Sequence, residues 1–415
     1  MNAPSTAAAG RPALRPLDDA LAELLAHAQP LAATETVSTF EADGRVLAQD
    51  LVSALQVPPQ DNSSMDGYAV RSSEIAAEGV ALPVSQRIPA GIAPAPLAPG
   101  SVARIFTGAL IPAGADAVVM QEDTEAADTQ VVRILRLPKP GQWIRRSGED
   151  VMRGAVVLAR GDRMSPAAQG LAAGIGMDRL VVARRPKVAL FSTGDELVMP
   201  GEVPPAQMKP GTIYNSNRFF LRGLLHRLGC EVTDLGIVPD RRDATVEALR
   251  SASLEHDLIL TSGGVSVGEE DHVKPAVQSL GSLDLWQIAI KPGKPFAYGT
   301  VGPAHFIGLP GNPVSSFITF LLLVRPFILK LQGATRLAPA CVSMPAHFSL
   351  PRGDKRREFL RARRNDQGGL DLFANQSSGV LTSAVWGDGL VDNPPGHNIE
   401  RGEPVRFISL AELTT

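Results

Sequence analysis

The chain of 415 residues has only two cysteines, Cys230 and Cys341. Two thiols exclude a disulfide framework or a Cys-rich metal site and point to a reducing, cytoplasmic setting. An excess of either charge is also lacking: 40 Lys and Arg stand against 43 Asp and Glu, for a net charge of −3. That excludes the overall basic surplus of a nucleic-acid binder. No GxxxxGKS or GxxxxGKT run occurs, which excludes a nucleotide-hydrolysing P-loop. No Ser/His/Asp or Cys/His set marks a protein nucleophile, and His226, His256, His272 and His305 lack the spacing of metal ligands. The most apolar stretch, residues 316–329, is broken by Arg325 and Pro326 and reads as too short to span a bilayer. The Ala/Pro-rich residues 1–16 have no apolar core of the kind a signal peptide needs and read as a loose tail. No fixed-period repeat suggests a solenoid.

What is present reads as a soluble, multidomain chain. Hydrophobic residues make up 44% and charged residues 20%, and the length exceeds one ordinary core. Residues 17–29 have helical apolar spacing with two early acids, stopped by Pro30. Residues 57–148 carry short β-branched pieces between Pro/Gly turns, which predicts an all-β insertion. Residues 181–332 alternate between the two periods. Strands are predicted over 187–192, 231–237, 257–261, 286–290, 296–298 and 305–308, and helices over 216–228, 243–254 and 314–330. That alternation predicts a doubly wound, mostly parallel sheet covered by helices on both faces. Beyond Gly333 the pieces turn β-like again, predicting a small β-barrel or sandwich.

Three of those strands end in Gly, Pro, Ser or Lys: DLILTSGGVSVGEEDHVK, IAIKPGKPFAYG and FIGLPGNPVSS. Ligands of open α/β sheets collect beyond the carboxyl ends of the strands, and small residues there free backbone N–H groups for an anion. Gly263 and Gly264 allow close approach, with Ser262 and Ser266 as oxyanion donors. Glu269, Glu270 and Asp271 follow directly. Carboxylates beside a phosphate site suit metal ligation or base work, because bare acids would repel the phosphate. In LFSTGDEL a strand ends at Ser192, Thr193 and Gly194, and Asp195 and Glu196 suit Mg²⁺ beside phosphate oxygens; a helix cap with an acidic first turn fits equally well. LPGNPVSS puts Gly311 in a turn, Asn312 at an N-cap and Pro313 at the first helical position, with the helix N-terminus as an anion site. In IKPGKP, Lys291 and Lys294 flank a Pro-Gly turn as compact charges suited to oxyanions. The basic run 352–364 reads as a strand with basic residues on one side, a nucleic-acid contact being the other reading. In DNSSMDGYAV the polar residues specify a turn, from which Asp66 stands out.

Read in order, these motifs resemble the molybdopterin molybdenumtransferase family, the bacterial MoeA proteins and the E domain of gephyrin. The resemblance runs from about Leu17 to the C-terminus through NSSMDGYAV, FTGALIPAGADAVVMQED, RRSGEDV, FSTGDELV, IYNSN and the three strand ends above. It implies an elongated α/β plus β subunit in four parts. These are a linker and dimerisation domain (31–54, 148–180), a β-rich insertion (55–147), an α/β molybdopterin-binding domain (12–30, 181–332) and a C-terminal β-barrel (333–415). It also implies a homodimer with its active site shared between subunits, and insertion of molybdate into adenylylated molybdopterin with Mg²⁺, releasing AMP. Asp66 and Thr107 would come from the partner subunit, with Glu196, Asp240 and Asp271 as further active-site acids. Asp195, Glu196 and Asp271 would meet the metal. Ser192 to Gly194, Ser262 to Gly264, Ser266, Gly311, Asn312 and Pro313 would hold the pterin ligand. Lys291, Lys294, Pro295, Arg361 and Ser378, with Ser377 as the alternative register, would form the molybdate pocket. Partners implied are a molybdopterin adenylyltransferase and molybdoenzyme maturation factors, with no nucleic acid and no membrane. A molybdopterin adenylyltransferase, which shares the TSGG-type loop, and a gephyrin-like scaffold are the alternatives.

Overall fold

The computed structural model describes residues 14–239, 241–264 and 272–414. Its centre is a six-stranded sheet of β1 (Lys187–Ser192), β2 (Glu231–Ile237), β3 (Leu258–Ser262), β4 (Gly281–Gln287), β5 (Pro295–Val301) and β6 (Ala304–Leu309). The order across the sheet is β2-β1-β3-β6-β5-β4. The first four strands run parallel, whereas β5 pairs antiparallel with both β6 and β4. The parallel expectation therefore holds for one side of the sheet only. Short links between β4, β5 and β6 make hairpins, and a tight turn forces antiparallel pairing.

The inner parallel strands β1, β3 and β6 are buried at nearly every position because both their faces are covered, whereas the edge strand β2 alternates. Val188 and Leu190 of β1 point into one hydrophobic cluster, and Ala189 and Phe191 into another. The first cluster is capped by α1 (Leu17–His27), α2 (Asn217–Arg227) and α5 (Pro313–Leu331). The second is capped by α3 (Arg242–Glu255) and α4 (Val273–Leu280). Helix α4 and the polar edge strand β4 lie outside the expected elements. The run expected at 286–290 divides instead between β4 and the short strand Ile290–Lys291, which joins a different sheet.

Helix α5 corrects the reading of the apolar run. It is continuous over 19 residues, long enough by length to cross a bilayer, yet 83% of its most apolar window is buried in the protein. A single π turn at Phe320–Val324 precedes Pro326, whose missing N–H would otherwise interrupt an α ladder.

Residues 67–134 form a separate six-stranded sheet over two small cores drawn only from residues 68–144. The chain enters and leaves this region side by side, since Val57 N–H donates to Val151 O at 2.7 Å. Next to it, Thr34–Ser38 pairs with Arg179–Ala183, and a third core spans residues 42–182, including the unexpected helix Pro166–Gly174. The last β region follows the order Ile290–Lys291, Arg357–Arg364, Gly389–Asn393, Pro404–Ser409, Val342–Pro345. Leu370–Leu372 pairs with Arg357–Arg364, and a bridge from Leu370 to Ala346 closes the ring of pairings.

Candidate functional site

Strand β1 is followed by β2 on one side and β3 on the other, so the sheet reverses its winding between them. In open α/β sheets ligands bind at such a switch point, in the crevice beyond the carboxyl ends. Register brings Ser192 beside Ser262, and Ser262 beside Leu309, so three of the sequence-predicted strand ends form one rim.

Gly263 and Gly264 follow at φ +95° and +68°, conformations that favour glycine. A Cβ on Gly264 would fall 2.4 Å from Val273 Cγ2 and 3.0 Å from Thr193 Oγ1. Only glycine lets this turn close against Thr193. Gly263 N–H donates to Leu309 O at 3.1 Å, fixing the turn to β6. Gly194, at φ +141°, lies under the Glu196 carboxylate, while Asp195 and Glu196 are exposed at the mouth.

Asn217 was not given a role from sequence, although it lies in the IYNSN motif. It opens α2, is buried, and its Nδ2 donates to Ser262 Oγ at 2.8 Å and to Gly311 O at 2.7 Å. One amide thus ties the β3 end to the LPGN turn. Its own Oδ1 is buried without a partner among the described residues, as are Ser192 Oγ, Thr261 Oγ1, Ser316 Oγ and Thr319 Oγ1. An unmet buried polar atom costs about 1–3 kcal/mol. Such a concentration at one end of a sheet is the pattern of a surface that meets a polar ligand.

Asn312 and Pro313 occupy the expected N-cap and first helical positions of α5. The Asn312 side chain makes no capping bond, contrary to its expected cap role, and Val314 N–H already donates to Ser378 O at 2.9 Å. The helix start is therefore less open to an anion than its sequence suggests. That same contact brings the 377–378 loop against α5. Gly293, at φ +113°, packs the lysine turn onto the same helix, where a Cβ would fall 2.4 Å from Thr319 Oγ1. Ile288 N–H closes that turn on Lys294 O at 2.7 Å, and Pro295 starts β5 opposite Gln287.

The two lysines differ. Lys291 Nζ lies 3.1 Å from Glu358 and 3.3 Å from Asp354, so its charge is met within the chain. Lys294 is half-buried and has no carboxylate partner among the described residues. The strand carrying Arg361 corrects the expected one-sided basic face: Glu358 and Arg361 are buried and only Arg363 and Arg364 point out. Arg361 donates to Ser383 Oγ at 3.1 Å, Phe359 O at 3.1 Å and Ser377 O at 3.5 Å, all neutral acceptors. Burial pushes its guanidinium down to about 10. A buried cation without an anion beside Ser377 is the electrostatic complement of an oxyanion. Ser377 meets Arg361 through its carbonyl, whereas Ser378 meets α5 through its own.

Asp66 and Thr107 do meet each other. Thr107 donates to Asp66 Oδ1 from its N–H at 2.8 Å and its hydroxyl at 2.7 Å. Those two bonds, the N–H first, hold the Asp66 carboxyl below the usual carboxylate range. The pair stands on the separate β region, whose cores share no residue with those under the crevice. Asp240, Ser266 and Asp271 lie outside the described residues. Among the described residues no three His, Cys, Asp or Glu side chains gather as a metal site. Mg²⁺ asks less: one or two carboxylates beside phosphate oxygens and water, a donor set that Asp195 and Glu196 match in kind.

The fold is that of an α/β protein carrying extra β regions, and its close-approach glycines at the switch point and buried Arg361 in the last β region are features suited to oxyanions. Comparison with known proteins narrows this. Three family models match in sequence: the MoeA N-terminal region (domain I and II) over residues 15–176, a probable molybdopterin binding domain over 189–330 and the MoeA C-terminal region (domain IV) over 343–410. A molybdopterin molybdenumtransferase of Haemophilus influenzae is 42% identical over 374 residues, covering 89% of this chain and 91% of that one. Another, from a Nostoc species, is 37% identical over 392 residues, with coverage of 91% and 89%. The crystal structure of a molybdopterin biosynthesis moeA protein from Pyrococcus horikoshii OT3 is 30% identical and aligns with a TM-score of 0.80 over 96% of this chain and 100% of that one. The chain belongs to the MoeA family.

Proposed function

We propose that this chain is a molybdopterin molybdenumtransferase that inserts molybdate into adenylylated molybdopterin, releasing AMP. The observation that carries the reading is the meeting of two anion-suited surfaces on α5. On one side are Ser192, Ser262, Gly263, Gly264 and the Asn217 clasp, of a shape that takes a phosphate-bearing ligand. On the other, Lys294, Arg361 and the 377–378 loop suit a tetrahedral dianion. A dianion leaving water loses strong hydration, and charged donors of this type offset that loss. No protein nucleophile is required, so the residues act by positioning and by charge neutralisation. Arg361 is oriented in advance by three fixed acceptors, and Lys294 adds a mobile point charge. Mg²⁺, held by Asp195, Glu196 and Asp271, would neutralise phosphate charge at the mouth. Asp66 and Thr107 would complete the site from a second subunit of a homodimer. Two free thiols, one of them buried, agree with a reducing compartment.

The test is molybdate-dependent AMP release from adenylylated molybdopterin. Lys294→Ala and Asp271→Ala are expected to fold normally and to lose it. Near-wild-type release by both purified variants refutes the assignment. Mixing Asp66→Asn with Lys294→Ala chains checks the shared site: activity reappears in mixed dimers if each site draws on two subunits, and stays absent if it does not.

A further inference from the structure

The opposite end of the same sheet carries a second cluster of cations. Arg185 lies two residues before β1 and Gly229 two residues before β2, and together they help line a cleft of about 1180 Å³. The cleft is bounded by residues 43–44 and 158–168, by residues 185, 226–229 and 325, and by residues 334–340 and 412–414. Arg163, Arg185, Arg227, Arg325 and Arg336 all face it. We propose that this cleft is a binding site for an acyclic polyphosphate anion of the di- or triphosphate class.

The arginines are held in place without being neutralised. Arg163 donates to Gly44 O and Arg227 O, both at 3.1 Å, and Arg185 to Gly229 O at 3.0 Å. Arg325 donates to Leu337 O at 3.0 Å and Glu412 O at 2.9 Å, and Arg227 to Thr414 Oγ1 at 3.2 Å. Every one of these acceptors is a carbonyl or a hydroxyl. Several arginines elsewhere meet carboxylates, as Arg184 meets Asp257 and Arg357 meets Asp392, whereas Arg361 shares the neutral setting of this cluster. Arg325 is nine-tenths buried, and its Nε has no partner among the described residues. Burial first and then the nearby Arg163 push its guanidinium down, and the Glu412 carboxylate only partly opposes them.

Helix capping accounts for part of the arrangement. Arg163 and Arg185 bind carbonyls at the end of α2, where the helix dipole supplies roughly half a negative charge. That half charge and the lining carboxylates of Asp43, Asp162 and Glu412 still fall short of five guanidinium groups. Of those acids, Asp162 already accepts from Ala159 N–H at 2.8 Å.

The walls say what kind of anion fits. Besides the His226 imidazole, the lining offers no aromatic ring on which a base could stack; Leu158, Met164 and Ala338 give only aliphatic surface. The five arginines come from five separate places in the chain around a cleft of about 1180 Å³, which exceeds one tetrahedral ion and suits an extended chain of phosphates. Guanidinium forks match phosphate oxygens in pairs. Strand β1 separates this cleft from the glycine crevice by roughly 20 Å, so no small ligand touches both.

Calorimetric titration of the full chain with sodium tripolyphosphate at constant ionic strength tests the site. The Lys294→Ala background removes a cation of the crevice and is expected to bind one tripolyphosphate per chain. In that background Arg336→Gln and Arg163→Gln should each weaken binding about tenfold. Arg336 is exposed and makes no described side-chain bond, so its substitution leaves the fold undisturbed. The proposal is overturned by the absence of saturable binding, by binding that both glutamine variants retain, or by citrate binding as tightly as tripolyphosphate.

Discussion

The glycine crevice and the Asp66–Thr107 pair belong to one proposed chemistry but are built in opposite ways. The crevice is buried, and each of its parts is held by a residue far away in sequence. Asn217 reaches Ser262 and Gly311, Gly263 binds Leu309, and Ser378 binds Val314. The Asp66 pair is accessible, local to one small sheet and fixed by two bonds from one residue. Precision in the first case comes from tertiary packing, and in the second from a single hydrogen-bonded turn. Substitutions of the buried ties of the crevice, such as Gly264 and Asn217, should therefore disturb fold and activity together, and those at Asp66 should disturb activity alone.

Gly264→Val should have the largest effect. A β-branched residue at positive φ whose Cβ meets Val273 and Thr193 costs about 1–3 kcal/mol in strain. Displacing the turn should lower AMP release about a hundredfold or more. A variant with a wild-type denaturation midpoint and wild-type rate would break the contrast. Asn217→Ala comes next, losing about 1–3 kcal/mol of stability with its two bonds. It should also raise KM for the pterin substrate, because Ser262 and Gly311 lose their common tie; chemical denaturation and steady-state kinetics read the two effects separately. Thr107→Val is the mildest. Asp66 keeps the N–H bond but loses the hydroxyl, so its carboxyl titrates at higher pH than in the parent. A lowered carboxyl contributes stability above its unfolded value and loses it as pH falls, so the small loss in this variant should show near neutral pH and vanish in acid. The acidic limb of the kcat/KM profile should move upward, and an unmoved limb would mean that Asp66 does not govern it.

Much of the central sheet could be read directly, because apolar runs such as 187–192 and 258–262 are buried on both faces and have few other uses. The exposed edge strand β4 and the small helices Val273–Leu280 and Pro166–Gly174 were not legible. Their sequences are polar or Ala/Gly-rich, and their conformation is set by what they pack against. The same division runs through the site. Gly263 and Gly264 announce themselves, since a glycine pair after an apolar strand has a conformational purpose. Asn217 does not, because a clasp between two remote turns leaves no trace in local spacing. Arg361 was visible as charge within a basic run, yet its burial among neutral acceptors depends on Ser377 and Ser383 arriving from elsewhere. The pairing of Lys291 with Glu358 and Asp354 escaped notice for the same reason.

The contact between Val57 and Val151 gives the β region a narrow neck. Everything that sits on that region, Asp66 and Thr107 included, hangs from the rest of the molecule at a place where two chain segments pass each other once. Its cores share no residue with those of the sheet that holds the crevice. The reach and angle of one small stalk then decide where those two side chains are delivered.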